Sequence, residues 1–312
     1  MKNSIRLQPP AWGFVNKVNW IFFLVLCGWV VSALPLYAHG ERAHDSETGK
    51  EKDLLRIGAT VYKHMCVFCH GENGNGGGKA MAYLYPWPRD FRQGVFKYRT
   101  TPFGSIPLDQ DIYRTISRGV PGTSMPAWGG ALTEDEIWGA VEYVKTFSKR
   151  FISDKPREPI TIASVPASTP ESIERGKKVY QQMRCARCHG TDLKGDGPIA
   201  NELYDIWDHR VFIYDLTDPN TYKFGFDQKD LFLILTTGID GTPMKSYNHL
   251  TDAERWDLAS FIESEIEKEK YKPAQYEIDL TTYSIDQEID MDPGNPLWEN
   301  IPVQNIHTIP LN

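Results

Sequence analysis

The chain has 312 residues, a formal net charge of −7, 41% hydrophobic residues and 24% charged residues. This length suits two domains of about 100 residues each better than one, and the near-average composition excludes a polytopic membrane protein and a disordered chain. The acidic balance also excludes a nucleic-acid-binding surface, which needs a basic face.

Residues 1–38 are the first predicted element, because three basic residues precede an apolar run that extends from Trp20 to Ala38. This arrangement predicts a signal peptide or an N-terminal membrane anchor. Small residues at Ala33 and Ala38 favour a cleaved signal peptide, whereas about 20 apolar residues are also enough to cross a bilayer. Both alternatives indicate an exported, periplasmic protein that is either soluble or anchored to the membrane by this segment.

Two copies of the pattern Cys-x-x-Cys-His follow, as CVFCH at residues 66–70 and CARCH at residues 185–189. On one turn of helix the two cysteines of a copy lie on the same face, so their thiols can bond to the two vinyl groups of one haem while the histidine reaches the iron. In an exported chain this is a strong signal for haem attachment. The pattern predicts two covalent haem c groups, attached through Cys66, Cys69, Cys185 and Cys188, with iron ligands His70 and His189.

Two other uses of paired cysteines are disfavoured. A zinc site commonly has its two Cys-x-x-Cys pairs about 15 to 20 residues apart, and these pairs are much farther apart in the sequence. A thioredoxin-like dithiol needs a βαβ context, which the helical flanks do not offer.

The sequence around the motifs also repeats, which indicates a domain duplication. A helical run precedes each motif, at residues 54–65 and 173–184, and another helical run and a last helix follow it. Thr169 suits the N-cap of the second copy's first helix, and Pro170 suits its first turn. The last helix opens in both copies with a capping box: Thr133 with Glu136, and Thr251 with Glu254.

The repeat divides the chain into predicted segments. Two domains occupy residues 53–150 and 172–270. Between them, residues 151–171 are rich in Pro, Ser and Thr and are predicted to be a linker. Beyond them, residues 271–312 are predicted to be an acidic extended tail.

The second ligand of each iron is predicted to be a methionine. Met125 and Met244 lie at the same distance after the histidines of their copies, and both follow a Gly-Thr pair in a loop between two helices. A single methionine is usually core filler, but the matched positions favour ligation for this pair. Three histidines near enough in sequence to compete as a ligand of one haem are His64, His209 and His249.

These residues together resemble the class I cytochrome c fold, present twice, over residues 53–150 and 172–270. The resemblance implies an all-α protein of two tandem domains, each wrapped around one covalently bound haem, with an extended C-terminal tail. It also implies that the first and last helices of each domain cross at a glycine packed against an aromatic residue. The matching pairs are Gly58 with Tyr143, and Gly176 with Phe261.

One feature departs from that family. Its members often have a proline after the motif whose carbonyl accepts a hydrogen bond from the ligand histidine. Pro198 can serve in the second copy, but Lys79 stands at this offset in the first. The partner of His70 is therefore not predicted.

Histidine and methionine on both irons would leave no vacant coordination site. The sequence thus predicts a periplasmic dihaem cytochrome c that passes single electrons between respiratory redox partners, and not an enzyme. The alternative is a dihaem peroxidase-type enzyme, in which one haem must open a site for peroxide. A missing ligand in one copy would favour that alternative, and the matched methionines argue against it.

Association with the membrane or with an oxidoreductase complex is a further expectation, carried by the two ends of the chain. The segment DPGNPLWENIPVQNIHTIPL in the tail resembles the opening of the haem-b-binding domains associated with ethylbenzene-dehydrogenase-type enzymes. The rest of such a domain is absent from the sequence, so no third cofactor is predicted. The resemblance implies instead that the tail docks onto an oxidoreductase assembly.

Overall fold

The computed structural model describes residues 41–273. The segment predicted as a signal peptide or anchor, and the predicted tail beyond residue 273, lie outside the described residues. Within them the protein is helical, and the β pairing is limited to an isolated bridge between Tyr204 and Arg210. None of the helices in this range is both long enough and apolar enough to cross a membrane.

The first domain contains five helices in the described range. They are α1 (Glu41–Val61), α2 (Val67–His70), α3 (Asp109–Arg118), α4 (Glu134–Lys145) and α5 (Arg150–Ser153). A π-helical turn, Tyr62–Cys66, joins α1 to α2, and 3-10 turns lie at Met81–Tyr83 and Trp128–Gly130.

The second domain repeats this order with four helices. They are α6 (Pro170–Gln182), α7 (Ala186–His189), α8 (Gln228–Thr237) and α9 (Asp252–Ser264). Its 3-10 turns lie at Ala200–Glu202, Pro219–Thr221 and Lys268–Lys270.

The predicted helix starts are confirmed. The Thr133 hydroxyl accepts from the amide of Glu136 while the Glu136 carboxylate accepts from the amide of Thr133, and α9 starts with the same reciprocal pair. The Thr169 hydroxyl accepts from the amide of Ser172, and Pro170 occupies the first turn of α6. These bonds satisfy amides that have no partner within the helix.

The first and last helices of each domain cross at the predicted glycines. A Cβ at Gly58 would lie 1.9 Å from the carbonyl oxygen of Gly139 and 2.9 Å from Cβ of Tyr143. At Gly176 it would lie 1.9 Å from the carbonyl oxygen of Asp257 and 2.7 Å from Cβ of Phe261. Only glycine allows this approach, so both expected crossings are confirmed.

Each domain has its own apolar core. The first core lies where α3 and α4 pack on the end of α1, and the second lies where α8 and α9 pack on α6. The first core contains Val61, Ile112, Ile137 and Val141. The second contains Val179, Leu231, Leu258 and Phe261. The two cores make two tandem helical domains.

The segment between the domains has no regular secondary structure and contacts both of them. The amide of Ile160 donates to the carbonyl of Thr100 at 2.8 Å, and the amide of Arg157 donates to the hydroxyl of Ser105 at 3.0 Å. The side chains of Ile160 and Ile162 pack against the second core. This stretch, rich in Pro and Ser, is therefore attached to the first domain by hydrogen bonds, including those from the Arg157 guanidinium to the carbonyls of Pro102 and Phe103, and to the second domain by apolar side chains.

Candidate haem sites

The first Cys-x-x-Cys-His motif lies in the π-helical turn and α2, directly after α1. The Tyr62 hydroxyl donates to the carbonyl of Gly71 at 2.8 Å, which ties the end of α1 to the residue that follows the motif. The second copy has the equivalent bond, from Tyr180 to the carbonyl of Gly190 at 2.7 Å. These paired tyrosines hold each motif against the first helix of its domain.

A cavity in the first domain brings together all four residues predicted to hold one haem. Its lining includes Cys66, Cys69, His70 and Met125, with apolar side chains from α3, α4 and the segment between α2 and α3. Two thiols, an imidazole and a thioether facing one largely apolar cavity are the donor set that haem c needs. The residues present therefore fit this cofactor.

His70 is oriented by a carbonyl that the sequence did not reveal. Its Nδ1 lies 3.1 Å from the carbonyl oxygen of Arg89, and because a carbonyl only accepts, Nδ1 carries the proton and Nε2 is left with its lone pair. The ring stacks on Phe91 with 4.5 Å between the centroids. Burial lowers the pKa of His70 to about 4, so the imidazole is neutral at pH 7, as a metal ligand must be.

The second motif differs at this point. Burial also lowers the pKa of His189 to about 4, but its Nδ1 is buried and has no hydrogen-bond partner within residues 41–273. The expectation that the Pro198 carbonyl accepts this bond is therefore wrong for the described structure. Gly197 and Ile199 instead donate their amides to the backbone of the motif helix, at Cys188 and Arg187, which positions the loop without a bond to the imidazole.

The two methionines lie in loops of the same construction, named here the first methionine loop (residues 119–125) and the second methionine loop (residues 238–244). In the first, the Val120 amide donates to the Met125 carbonyl at 3.0 Å, and the Thr123 hydroxyl donates to the Val120 carbonyl at 2.7 Å. The Met125 amide donates to that hydroxyl oxygen at 3.2 Å.

The second methionine loop repeats each of these bonds, with distances of 2.9, 2.7 and 3.2 Å. The glycine that opens each loop has the same positive φ, 65° at Gly119 and at Gly238. Met244 packs against the second core, as does Cys185. The Gly-Thr pairs seen in the sequence are thus the parts of one hydrogen-bonded turn that presents a methionine.

None of the three competing histidines lines the cavity of the first domain. The ring of His209 lies 4.3 Å from that of Trp87, and its Nδ1 is 3.8 Å from a carboxylate oxygen of Asp205. His249 is exposed beside Tyr247, and His64 lies in the π-helical turn.

The alternative uses of the cysteines are not supported. Burial raises the pKa of Cys66 to about 12 and that of Cys185 to about 11. Both thiols are therefore protonated at neutral pH, unlike the activated thiolate of a redox dithiol. In the part of the chain that the structure describes, no three side chains of His, Cys, Asp or Glu group together as a zinc site would need.

Comparison with known proteins gives one family match for each domain. Residues 53–144 match the family described as "Cytochrome C oxidase, cbb3-type, subunit III", and residues 173–265 match "Cytochrome c". Together the two matches cover most of the described range.

Among curated proteins, the chain is similar to cbb3-type cytochrome c oxidase subunits CcoP. The subunit of Helicobacter pylori (strain 52) is 24% identical over 82% of this chain and 77% of the relative. That of Azospirillum brasilense is 27% identical over 68% of this chain, and the chain spans 64% of that relative.

A solved structure is more similar in sequence. It comes from the reducing HAO-like protein complex of Kuenenia stuttgartiensis, with 40% identity, a TM-score of 0.66, and coverage of 68% of this chain and 96% of the other. The matches support an electron-transfer function. With two cytochrome c domains in tandem and two covalently bound haem c groups as cofactors, the chain belongs to the dihaem c-type cytochromes.

Proposed function

We propose that this chain is an exported, periplasmic cytochrome that passes single electrons between redox proteins, as a subunit of an oxidoreductase complex. The observation that carries the proposal is the pair of methionine loops with the same hydrogen bonds. If each loop presents its methionine to an iron, neither haem keeps an open site. An electron carrier needs this arrangement, and an enzyme that binds peroxide does not have it.

The residues proposed to hold each haem have separate roles. Cys66 and Cys69 would tether the first haem, and the neutral His70 would offer its Nε2 to the iron because Nδ1 is held by the Arg89 carbonyl. Met125, which lines the same cavity, would be the second ligand. In the second domain the corresponding residues are Cys185, Cys188, His189 and Met244.

Haem c supplies an iron that alternates between Fe(III) and Fe(II). Ligation by histidine and methionine raises the reduction potential of that iron relative to ligation by two histidines. The protein's part is to keep both ligands in place in both oxidation states and to exclude water. The apolar walls of the first cavity, including Phe91, Ile112 and Ile116, serve the second purpose.

The two kinds of relative support different partner complexes. The solved relative belongs to a reducing HAO-like protein complex, and this chain covers 96% of it. The two oxidase subunits have lower identity, and this chain covers 77% and 64% of their length. We therefore favour an assembly of the HAO-like kind, in which the ends of the chain outside the described residues supply attachment to the complex or to the membrane.

Optical and near-infrared spectroscopy of the purified holoprotein tests the electron-carrier function. We expect two low-spin haems, a methionine-to-iron charge-transfer band, and no change on adding carbon monoxide or peroxide. A high-spin fraction that binds carbon monoxide or turns over peroxide would replace the carrier with the peroxidase-type alternative. Native mass spectrometry of the tagged chain, isolated from its own host in mild detergent, tests membership of a complex. Recovery of the chain as a monomer would refute that membership.

A further inference from the structure

Both methionine loops lie where the two domains meet. Each loop is closed by its own hydrogen bonds, but one side of it faces the neighbouring domain. The contacts on that side differ between the two loops, and in each case a charged side chain reaches across from the other domain.

The second methionine loop is held by the first domain. Arg99, whose side chain is fully buried, places Nη2 2.9 Å from a carboxylate oxygen of Asp240, four residues before Met244. The amide of Gly104 donates to the same oxygen at 3.0 Å. Arg99 also donates to the carbonyl of Thr237, the last residue of α8, at 3.3 Å. Three bonds from the first domain thus fix the start of this loop.

The first methionine loop is held by the second domain. Nζ of Lys223 donates to the carbonyl of Gly122, three residues before Met125, at 3.3 Å. The Lys223 ammonium lies over the ring of Tyr214, 4.4 Å from its centroid. The next residue, Phe224, stacks under the guanidinium of Arg114 in α3 at 3.8 Å. The lysine is therefore positioned by contacts on both sides of the domain boundary.

We propose that each domain is a positioning device for the methionine ligand of the other: Lys223 for Met125, and Arg99 for Met244. This inference rests on the proposed ligation of both irons by methionine. A thioether is a weak, neutral ligand, so its bond to iron depends on how firmly the loop holds it in place. Hydrogen bonds from charged groups are among the stronger ones in proteins, and here they cross the boundary.

The consequence is that the ligation of one haem responds to a substitution in the domain that does not contain it. A residue that only stabilises its own domain has no such effect. The arrangement also means that an isolated domain loses the outer support of its methionine loop, although all of its own ligands are present.

The test uses imidazole, which competes with methionine for the iron. In a Met244→His background only the first haem keeps a methionine, so the charge-transfer band and imidazole binding report on that haem. Adding Lys223→Ala is expected to raise its affinity for imidazole about tenfold, the value of one lost charged hydrogen bond. Lys223→Arg restores the wild-type affinity. Lys177→Ala, an exposed lysine of the same domain, is the matched control and leaves it unchanged.

The reciprocal experiment uses a Met125→His background. Only the second haem then keeps a methionine, so the charge-transfer band and imidazole binding report on that haem. Arg99→Lys keeps a buried positive charge but loses the planar guanidinium whose Nη2 reaches both Asp240 and Thr237. The affinity of the second haem for imidazole is expected to rise, again about tenfold. Circular dichroism of each variant establishes that its helices are intact.

The outcomes separate this inference from the function on which it rests. Absence of the charge-transfer band from the wild-type protein overturns the proposed ligation, and this inference with it. A wild-type band together with unchanged imidazole affinities in the Lys223→Ala and Arg99→Lys variants overturns the cross-domain positioning alone.

Discussion

Replacing Gly58 by alanine tests the closest helix contact in the first domain. The added methyl carbon would lie 1.9 Å from the carbonyl oxygen of Gly139 and 2.9 Å from Cβ of Tyr143. Neither of these atoms can be moved by rotating a side chain. Helices α1 and α4 must therefore separate, which loosens the first core along the crossing.

The expected change in the free energy of unfolding follows from two opposing effects. Overpacking a core costs about 1 to 3 kcal/mol, and a clash with backbone lies at the upper end of that range. Alanine in a helix is about 1 kcal/mol more favourable than glycine. The net expectation for Gly58→Ala is a loss of about 2 kcal/mol in the free energy of unfolding, or roughly 8 to 16 °C in Tm for a domain of this size.

Thermal unfolding of the holoprotein, followed by far-ultraviolet circular dichroism, measures this loss. Gly130→Ala is the matched control, since a Cβ there has no neighbour within 4 Å, and its Tm should stay close to that of the wild type. Gly176→Ala should destabilise the second domain similarly, because its Cβ would also lie 1.9 Å from a carbonyl oxygen. If Gly58→Ala and Gly130→Ala unfold at the same temperature, the close crossing is refuted.

Three further predictions follow from single contacts. The bond from His70 to the Arg89 carbonyl makes this imidazole the more basic ligand, so the first haem should have a lower reduction potential than the second, whose His189 lacks this bond. Thr133→Ala removes the hydroxyl of a capping box and should cost about 1 kcal/mol in unfolding free energy. Burial, then the neighbouring Asp227 carboxylate, raises the pKa of Asp230 to about 6, so the wild type should gain stability relative to Asp230→Asn as pH falls from about 6 to 4.

The sign for Asp230 follows from proton binding. The folded state holds the proton at pH values where the unfolded carboxyl, with its ordinary pKa, has lost it, so acid favours folding in that window. Chemical denaturation of the wild type and of Asp230→Asn at several pH values measures this difference, and a difference that stays constant over the window would contradict the reasoning. Spectroelectrochemistry of the single-methionine variants measures the two potentials, and equal values would contradict the histidine argument. For Thr133→Ala, denaturation matching that of the wild type would show that the cap contributes nothing.

The features that the sequence predicted depend on local rules or on the internal repeat. The capping boxes are hydrogen bonds between residues three apart, so the residue types alone indicate them. The crossing of Gly58 with Tyr143 joins distant residues, but the second copy repeats it at Gly176 and Phe261, and the family resemblance assigns both pairs. Periodicity and duplication together were enough for the helical architecture.

The features that the sequence missed are contacts between distant segments with no local signature. The carbonyl of Arg89 accepts from His70 because of how the intervening loop folds back, and any residue type offers a carbonyl. The ion pair of Arg99 with Asp240 depends on how two separate domains pack. The expectation for Pro198 was wrong because the presence of a proline does not fix where its carbonyl points.

The sameness of the two methionine loops bears on how a duplicated gene can diverge. Both copies have the same internal turn, so substitutions within it would disturb the position of its methionine. The residues that reach each loop from outside, Arg99 and Lys223, belong to neither turn and are not alike. If both methionines are iron ligands, the two haems can be adjusted separately through Arg99 and Lys223 of the opposite copy, and neither domain alone would have the complete surroundings of its own haem.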